Sequence, residues 1–531
     1  MLPQPMTINR LDIEAKQCLL CGSAQSTSFK FRSNLSPEYE LCRLYHEVVD
    51  QGILVEDIIP LQRIHILRRA NALLPIAKLP YEVLDEVFRL ACRLSCFAHH
   101  HYQVVLSSVS SRWRAIIHSS PLLWTHLSLD FCYKDAKSLD RRIGLLRLYL
   151  LHSGSLSLHL KMSFHRSVFT QRWFDVNNLI HSTVDNVIIA NLHRIKILDL
   201  ENASSKWLAY TPQLSGIQSF RYKGGFDPYI GAPVISFAKS SRLSDLTLID
   251  WPLIDIGTSD FTSLITITLE AIEITVCVGL LAACPKLVEY RCRSPKPPRF
   301  SSWHPLKPWN ATVTLESLEI FEWDISLDEN LGLVEGSMFR YLCLPALRSL
   351  RLHTFLHSKH VAVRLFCKRM PISLETLHLS MICGAQEPEG ACLIDSFPLG
   401  CQLKELTLYA NGCLCFFHHT FRSLSDAKRF PKLERMIIDD KNKGRDVRGW
   451  EIELNDIFAS LVHKALALRA PLLPGFFLKF LWFRVRWPKE IRDELWLLTM
   501  SGEFRLTIQE EQTPFGNGLP RFYDSDRMLM L

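Results

Sequence analysis

Two clusters of cysteine and histidine have the residue types that bind zinc. The first consists of Cys18, Cys21, Cys42 and His46, at a spacing that suits a tetrahedral ion. Two leucines fill the turn between its first two cysteines, and no glycine after Gly22 shapes the chain before the second pair. The second and weaker cluster consists of Cys413, Cys415, His418 and His419. We therefore expect no bound metal and no cofactor.

No set of side chains has the spacing of a familiar catalytic motif. The sequence contains no glycine-rich phosphate loop, no Gly-x-Ser-x-Gly turn, no His-Glu-x-x-His pair and no kinase signature set. The histidine run His99–His101 is expected on a solvent-exposed loop. The sequence thus predicts a protein that acts by binding and is not an enzyme.

The segment Leu79–Trp124 has the pattern of three short amphipathic helices. Pro80 suits the first turn of a helix, and apolar residues then recur at three- and four-residue steps as far as Leu90. A second helix carries an apolar stripe from Leu106 to Ile117, and the pair Ser120-Pro121 begins a third. Three helices in so short a segment bury little surface, so we expect an apolar face that a partner covers.

The motifs of this segment resemble the F-box, and most closely that of fungal F-box proteins. They are Leu79-Pro80-x-Glu82-Val83-Leu84-x-x-Val87-Phe88, then Val109-Ser110-x-x-Trp113-Arg114-x-Ile116, then Ser120-Pro121-x-Leu123-Trp124. The resemblance covers under a tenth of the chain, but the motifs occur in order and at fitting spacing. The stretch Ala91–Tyr102 departs from the pattern, because it is longer than in the shortest F-boxes.

The resemblance implies that this segment binds a Skp-type adaptor and, through it, a cullin-RING ubiquitin ligase. The residues that would supply the apolar contacts and the shared core are Leu79, Pro80, Leu84, Val87, Phe88, Val109, Trp113, Ile116, Leu123 and Trp124. The two tryptophans are large enough to act as interface anchors.

The remainder of the chain repeats the phrase Leu-x-x-Leu-x-Leu, the strand signature of leucine-rich repeats. Its ten copies start at Ile195, Ile217, Leu243, Leu264, Leu287, Leu315, Leu347, Leu374, Leu403 and Leu433. Chance does not produce ten copies in series at near-regular spacing. The pattern predicts an α/β fold, with the small helical F-box followed by an irregular leucine-rich-repeat solenoid whose parallel sheet lines the concave face. The alternating stretch Leu156–Leu160 is expected to begin the array.

In such repeats the leucines point inward and the residues between them face outward on the sheet. This predicts a substrate-binding surface composed of Glu289, Arg291, Arg293, Glu319, Phe321, Arg351, His353, His378, Tyr409 and Arg435. Charged and aromatic groups on a rigid wall suit a protein partner, and a solvated wall without a partner is the alternative. The insertion Ser294–Asn310, with five prolines and two tryptophans, is either a recognition loop or packing over the sheet edge.

Composition narrows the class of protein further. A chain of 531 residues with 48% apolar and 22% charged residues is typical of a folded protein with several domains or one extended array. The net charge of +7 is small, and basic residues are mixed with acids, so we expect neither a nucleic-acid nor a membrane partner. With no apolar stretch of signal or transmembrane length, we expect reduced cysteines and a cytoplasmic or nuclear protein.

Five regions are predicted along the chain: a partly disordered N-terminus (1–40), a helical leader (41–74), the F-box (75–128), the solenoid (150–450) and a capping region with a tail (451–531). The predicted function is that of a substrate receptor in an SCF-type ligase, which binds the adaptor through the F-box and an unknown protein substrate through the repeats. The alternatives are a leucine-rich-repeat scaffold that binds the adaptor or other partners without promoting ubiquitylation, and a repeat protein whose helical leader only caps the solenoid.

Overall fold

A computed structural model describes residues 75–94, 101–131, 136–164, 188–203, 205–224, 235–237, 242–250, 261–297, 309–325, 332–353, 361–381, 393–410, 420–426, 428–439, 456–467, 475–481, 489–500 and 505–511. The regions predicted for 1–40 and 41–74 lie outside these residues. The chain divides into two compact units. The first, here called the helical unit, contains the described residues up to His126 and Leu148–Leu156. The second, the sheet unit, contains Leu127–Arg147 and the described residues from Ser157 onward.

The helical unit contains three α-helices, α1 (Tyr81–Leu94), α2 (Tyr102–Val109) and α3 (Ser111–Ser119), and the 3-10 turns Pro75–Lys78 and Pro121–Trp124. The prediction of a single helix from Leu106 to Ile117 is wrong, because the helix is interrupted at Ser110. Ser110 is extended, with φ −152° and ψ 162°, and its Oγ accepts a hydrogen bond from the Trp113 N–H at 3.1 Å. This serine therefore ends α2 and caps the N-terminus of α3.

Buried hydrogen bonds join the parts of the helical unit. The indole of Trp124, which is fully buried, donates to the Ile117 carbonyl at 2.8 Å. The amide of Gln103 donates to the Leu123 carbonyl at 2.8 Å and accepts from the Tyr149 hydroxyl at 2.7 Å. Satisfied buried polar groups of this kind favour one arrangement of the helices over others.

One sheet of fourteen strands runs through the sheet unit, and its strands lie in chain order. They are β1 (His126–Phe131), β2 (Leu158–Phe164), β3 (Ile195–Glu201), β4 (Ser219–Lys223), β5 (Asp245–Ile249), β6 (Thr266–Glu270), β7 (Glu289–Arg293), β9 (Ile320–Asp324), β11 (Ser349–His353), β12 (Thr376–Met381), β13 (Glu405–Ala410), β14 (Arg435–Asp439), β15 (Gly475–Leu481) and β16 (Arg505–Glu511). The neighbouring strands from β2 to β16 are parallel. Two short strands, β8 (Val313–Thr314) and β10 (Leu342–Cys343), form a separate parallel pair.

Helices connect many of these strands. They are α4 (Ala136–His152), α5 (Ile274–Ala283), α6 (Gly332–Tyr341), α7 (Val361–Lys368), α8 (Asp456–Ala467) and α9 (Lys489–Met500), with 3-10 turns at Leu192–Arg194, Ser205–Gln213 and Leu393–Ser396. None of the described helices combines the length and apolar character needed to cross a bilayer. The predicted α/β class is confirmed, and a parallel sheet in chain order is compatible with a solenoid-like fold.

The apolar positions of the repeated phrase form the core of the sheet unit. In nine of the ten copies all three apolar side chains are at most 5% exposed. The copy predicted at Leu315 is out of phase by three residues, because the strand that follows buries Phe321 and Trp323. The true phase is Leu318-x-x-Phe321-x-Trp323, in which two aromatic side chains replace leucines. The sheet also includes β1 and, beyond residue 450 where the sequence predicted a cap, β15 and β16.

Candidate functional site

The ten residues predicted to contact an adaptor divide by burial. Five of them, at most 4% exposed, form the core of the helical unit, and these are Leu84, Phe88, Ile116, Leu123 and Trp124. They pack between the helices, so they support the fold of the unit and offer no free surface to a partner. Of the other five, Leu79 and Trp113 are half-buried, and Pro80, Val87 and Val109 are exposed.

Within residues 75–126 the helical unit exposes a set of large apolar side chains, each between 38% and 56% exposed. They are Ile76, Tyr81, Val83, Val87, Leu90, Val105, Val109 and Leu122. Val83, Val87 and Leu90 follow one another at four- and three-residue steps, so they lie on one face of α1. The sequence pattern singled out only two of the eight, because an apolar stripe alone does not say which of its edges is covered.

Two hydrogen bonds and an ion pair hold together the segments that carry these exposed apolar side chains. Asp85, which is 7% exposed, accepts a hydrogen bond from Ser120 Oγ at 2.6 Å and pairs with Arg89 at 2.5 Å. The Arg112 guanidinium donates to the Leu79 carbonyl at 2.6 Å. The chain before α1 is therefore tied to α3, and the apolar surface is held by a fixed frame.

A second candidate surface lies on the sheet unit. Its outward side, here called the polar face, carries the residues that alternate with the buried apolar positions of the strands. Eight of the ten predicted substrate-contact residues lie there: Glu289, Arg291, Arg293, Arg351, His353, His378, Tyr409 and Arg435.

The predicted positions of the other two residues, Phe321 and Glu319, are wrong, because the repeat that contains them is shifted by three residues. Phe321 is fully buried, and its ring stacks on Tyr290 with centroids 5.9 Å apart. Glu319 precedes β9, where its carbonyl accepts the backbone N–H groups of Arg348 and Ser349. Neither residue occupies the outward row of β9 that the sequence assigned to it.

The residue that does occupy the outward row is Glu322, which the sequence analysis missed. Its side chain is only 3% exposed, yet four cationic groups surround it. Arg293 Nε lies 2.6 Å from its carboxylate, and Arg351, Arg291 and the His353 imidazole lie at 3.8, 4.0 and 4.0 Å. Burial alone would raise the pKa of the Glu322 carboxyl, but the Arg293 hydrogen bond and the surrounding positive charges lower it below its usual value.

Asp324 and His353, close to Glu322 on the polar face, also have shifted pKa values. Burial raises the pKa of Asp324, although its carboxylate accepts the Ser294 N–H at 2.9 Å. Burial lowers the pKa of His353 against the attraction of the neighbouring acids. The imidazole of His353 also contacts the ring of Tyr409, two strands away, with centroids 5.5 Å apart. The small side chain of Ser380 on the strand between them leaves room for that contact.

Arg291 Nε on the same face is buried without a hydrogen-bond partner in the described part of the chain, and so are Arg351 Nε and Thr407 Oγ1. The last two residues belong to one register row, which runs from Arg351 through His378 to Thr407. Unpaired buried polar groups cost free energy, so these atoms mark a place where the sheet alone does not complete the bonding.

A pocket of about 340 Å³ lies at the N-terminal ends of strands β13, β14 and β15. Lys404, Glu405, Glu434, Arg435, Gly475, Phe476 and Phe477 line it. The Arg435 guanidinium lies 5.6 Å from the centroid of the Phe477 ring and 3.2 Å from the Glu405 carboxylate. Arg435 thus already fills part of this pocket with a cation–π contact.

The described residues include no group of three or more metal-binding side chains. Both cysteine clusters considered from the sequence lie outside those residues. Burial raises the pKa of the Cys284 thiol to about 12 and that of the Cys401 thiol to about 11. Within the histidine run only His101 is described, and it is half-buried with its Nδ1 3.4 Å from the Tyr149 hydroxyl.

The insertion Ser294–Asn310 is described only at its two ends. Near the first end, Lys296 donates its N–H to the Ile272 carbonyl at 2.7 Å and pairs with Asp250 at 2.7 Å. The middle of the insertion, with Phe300 and Trp303, lies outside the described residues, so its role in recognition stays a prediction.

No protein-family model and no curated protein matches the chain in sequence. The exposed apolar surface of the helical unit and the polar face of the sheet unit are therefore the observations from which a function is inferred.

Proposed function

We propose that the chain is the F-box substrate receptor of an SCF-type cullin-RING ubiquitin ligase and acts in the cytoplasm or nucleus. In this proposal the helical unit is the F-box, which binds a Skp-type adaptor. The sheet unit is a leucine-rich-repeat array, which binds a protein substrate. The observation that supports the adaptor role most directly is the set of eight exposed apolar side chains on the helical unit, in the segment that carries the F-box motifs.

The exposed apolar surface favours a docking role on physical grounds. Contiguous apolar patches on small units are unfavourable in water and commonly mark interfaces. Glu82, Glu86 and Arg112 are exposed on the helices α1 and α3, and such polar residues suit the rim of an interface. Burial of apolar area contributes about 25 cal/mol per Å² to the free energy of binding. A partner that covers Val87 and Val109, each more than 40% exposed, would gain this contribution.

The proposed mechanism is proximity and involves no bond making by this chain. A receptor that holds its substrate near a ubiquitin-conjugating enzyme raises the effective concentration of the substrate lysine. No residue of the receptor has to act as an acid, base or nucleophile. The second candidate is an adaptor-bound scaffold outside the ligase, which would use the same apolar surface.

Affinity capture of the full chain from cells tests the proposal. We expect both the adaptor and a cullin to be recovered with the wild-type chain. The double variant Val87→Asp, Val109→Asp places charges on the exposed apolar surface and should reduce adaptor recovery by about tenfold or more, since a buried unpaired charge is costly. A matched control, Ile265→Asp with Ile372→Asp, changes residues of similar exposure in the sheet unit and should leave adaptor recovery unchanged.

The outcomes separate the alternatives. Recovery of the adaptor without a cullin supports the scaffold, and recovery of neither supports a plain repeat protein. If the double variant is folded by circular dichroism and still captures the adaptor at the wild-type level, the docking surface is wrongly assigned. Leu84 is unsuitable for this test, because its burial means that a charge there would unfold the unit.

A further inference from the structure

We propose that the cation cluster of the polar face, defined as Arg291, Arg293, Arg351 and His353, binds an oxyanion of a protein partner. The oxyanion is a side-chain carboxylate or a phosphate. This inference rests on the proposed role of the sheet unit as the partner-binding surface, and it specifies the chemistry that the surface recognises.

The cationic groups of the cluster are partly exposed to solvent, whereas the Glu322 carboxylate that attracts them is buried. The side chains of Arg291, Arg293, Arg351 and His353 are 31%, 41%, 37% and 26% exposed, whereas that of Glu322 is 3% exposed. A partner that approaches β9 therefore meets guanidinium and imidazole groups before it meets the carboxylate. Strands β7 and β11 supply these groups from the two sides of β9.

Arg351 has an N–H donor that no described residue accepts. A guanidinium has five N–H donors, and it matches carboxylate and phosphate oxygens in a bidentate geometry. Two nitrogens of Arg293 donate hydrogen bonds to the Glu322 carboxylate, at 2.6 and 3.4 Å. Arg351 approaches Glu322 only to 3.8 Å, and its Nε has no acceptor among the described residues. Thr407, 4% exposed and on the same register row, adds an unpartnered hydroxyl.

The neighbouring acids are already engaged, so they leave room for an incoming anion. Glu289 lies 2.5 Å from Arg291, and Asp324 accepts the Ser294 N–H at 2.9 Å. Because Glu322 orders the cations before binding, a partner does not have to immobilise them, and such preorganisation favours affinity.

The charge of the wider face argues for one or two oxyanions on a protein and against a nucleic acid. Further acids, Glu270, Glu405 and Asp439, lie on the same side of the sheet beyond the cluster. A polyphosphate backbone that crossed the face would meet these carboxylates, whereas a single carboxylate or phosphate would contact the cluster alone.

Fluorescence anisotropy with the full chain tests the inference. The probes are labelled 12-residue peptides of one glycine–serine background whose centre holds two glutamates, one phosphoserine or two lysines, and a single-stranded RNA 12-mer. We expect the glutamate peptide, the phosphoserine peptide or both to bind at least about tenfold more tightly than the lysine peptide and the RNA. Binding of the lysine peptide or RNA at equal or higher affinity overturns the inference, and so does the absence of binding by both anionic peptides at millimolar concentration.

Variants then test which residues are responsible. Arg351→Ala should weaken binding of the preferred anionic peptide about tenfold, and Arg351→Lys should weaken it as well, because lysine lacks the bidentate fork. Glu322→Gln separates preorganisation from net charge. Loss of a negative charge alone would strengthen anion binding, whereas we expect binding at least about threefold weaker because the cations lose their common anchor.

The matched control is Arg221→Ala. Arg221 lies on the same side of the sheet on β4, in the register row that leads to Arg291, and its side chain is 52% exposed with Asp199 at 3.9 Å. It should change affinity less than about twofold. Wild-type affinity in a folded Arg351→Lys variant, or tighter binding by Glu322→Gln, contradicts the inference. If adaptor capture persists while these outcomes occur, the inference alone fails and the adaptor role stands.

Discussion

Replacement of Trp124 by alanine should unfold the helical unit and leave the sheet unit folded. The indole is fully buried, donates to the Ile117 carbonyl and contacts the rings of Tyr149 and His152 at 5.0 and 4.9 Å. Removal of a buried tryptophan costs about 3–5 kcal/mol. At about 0.05–0.15 kcal/mol per residue, a unit of this size is stabilised by an amount of the same order.

Scanning calorimetry combined with limited proteolysis measures this effect. In Trp124→Ala we expect the transition of the helical unit to disappear, cleavage between residues 75 and 126, and an unchanged transition of the sheet unit. Trp124→Phe keeps most of the ring volume and removes the indole's hydrogen bond to the Ile117 carbonyl, which still accepts the Ser120 N–H at 3.3 Å, so we expect a smaller loss of about 0.5–1.5 kcal/mol. Trp496→Ala is the control, because Trp496 is 44% exposed, and it should stay within about 0.5 kcal/mol of the wild type. A wild-type melting profile for Trp124→Ala would refute the reasoning.

Three other predictions concern the core, the thiols and pH. Phe321→Ala should reduce the free energy of unfolding of the sheet unit by about 3–5 kcal/mol in urea titrations, whereas Glu319→Ala should stay within about 0.5 kcal/mol; the reverse order would support the phase first predicted. Cys284 and Cys401, with pKa values of about 12 and 11, should react with iodoacetamide at pH 8 at least about 100-fold more slowly in the native protein than in guanidinium, and half-exposed Cys343 is the internal reference. Burial and the charges of His152 and Arg114 lower the pKa of His118. The folded state therefore favours the neutral imidazole, and the stability that this group contributes is complete above about pH 6.5 and is lost as the pH falls. The melting temperature of the helical unit should therefore decrease between pH 7.5 and 5.5, and a His118→Asn variant with the same slope would contradict this.

The repeated phrase predicted most of the sheet because its apolar positions are the positions whose side chains are buried. A leucine at the first, fourth and sixth positions of a repeat places one side chain before or at the start of a strand and two on its inner side, and nine of ten copies have that arrangement. The copy at Leu315 misled because Leu315 and Leu318 are both buried, although only the second belongs to the strand phase. An interpretation that accepted aromatic residues at the leucine positions would have found Phe321 and Trp323, and with them Glu322.

The sites were less predictable than the fold because they depend on distances across strands. Nothing in the sequence near Glu322 indicates that Arg293 and Arg351, 29 residues away in each direction, converge on its carboxylate. The apolar surface of the helical unit posed a different difficulty. The periodicity of α1 identifies Val83, Leu84, Val87 and Phe88 as apolar, but only the packing shows that the second and fourth are covered and the others are open.

The agreement between strand order and chain order has a consequence for how the sheet unit yields to force. Among the described residues, each strand of the fourteen-stranded sheet pairs only with the strands of that sheet that come before and after it along the chain, so no strand pairing in this part of the chain joins the two ends of the sheet. A pull on the C-terminal end would first peel β16 from β15 and would then proceed through the ladder, one strand at a time. Optical-tweezer traces should accordingly show a staircase of small extensions instead of a single rip, and strands near the fixed end should still be folded while the pulled end is already extended.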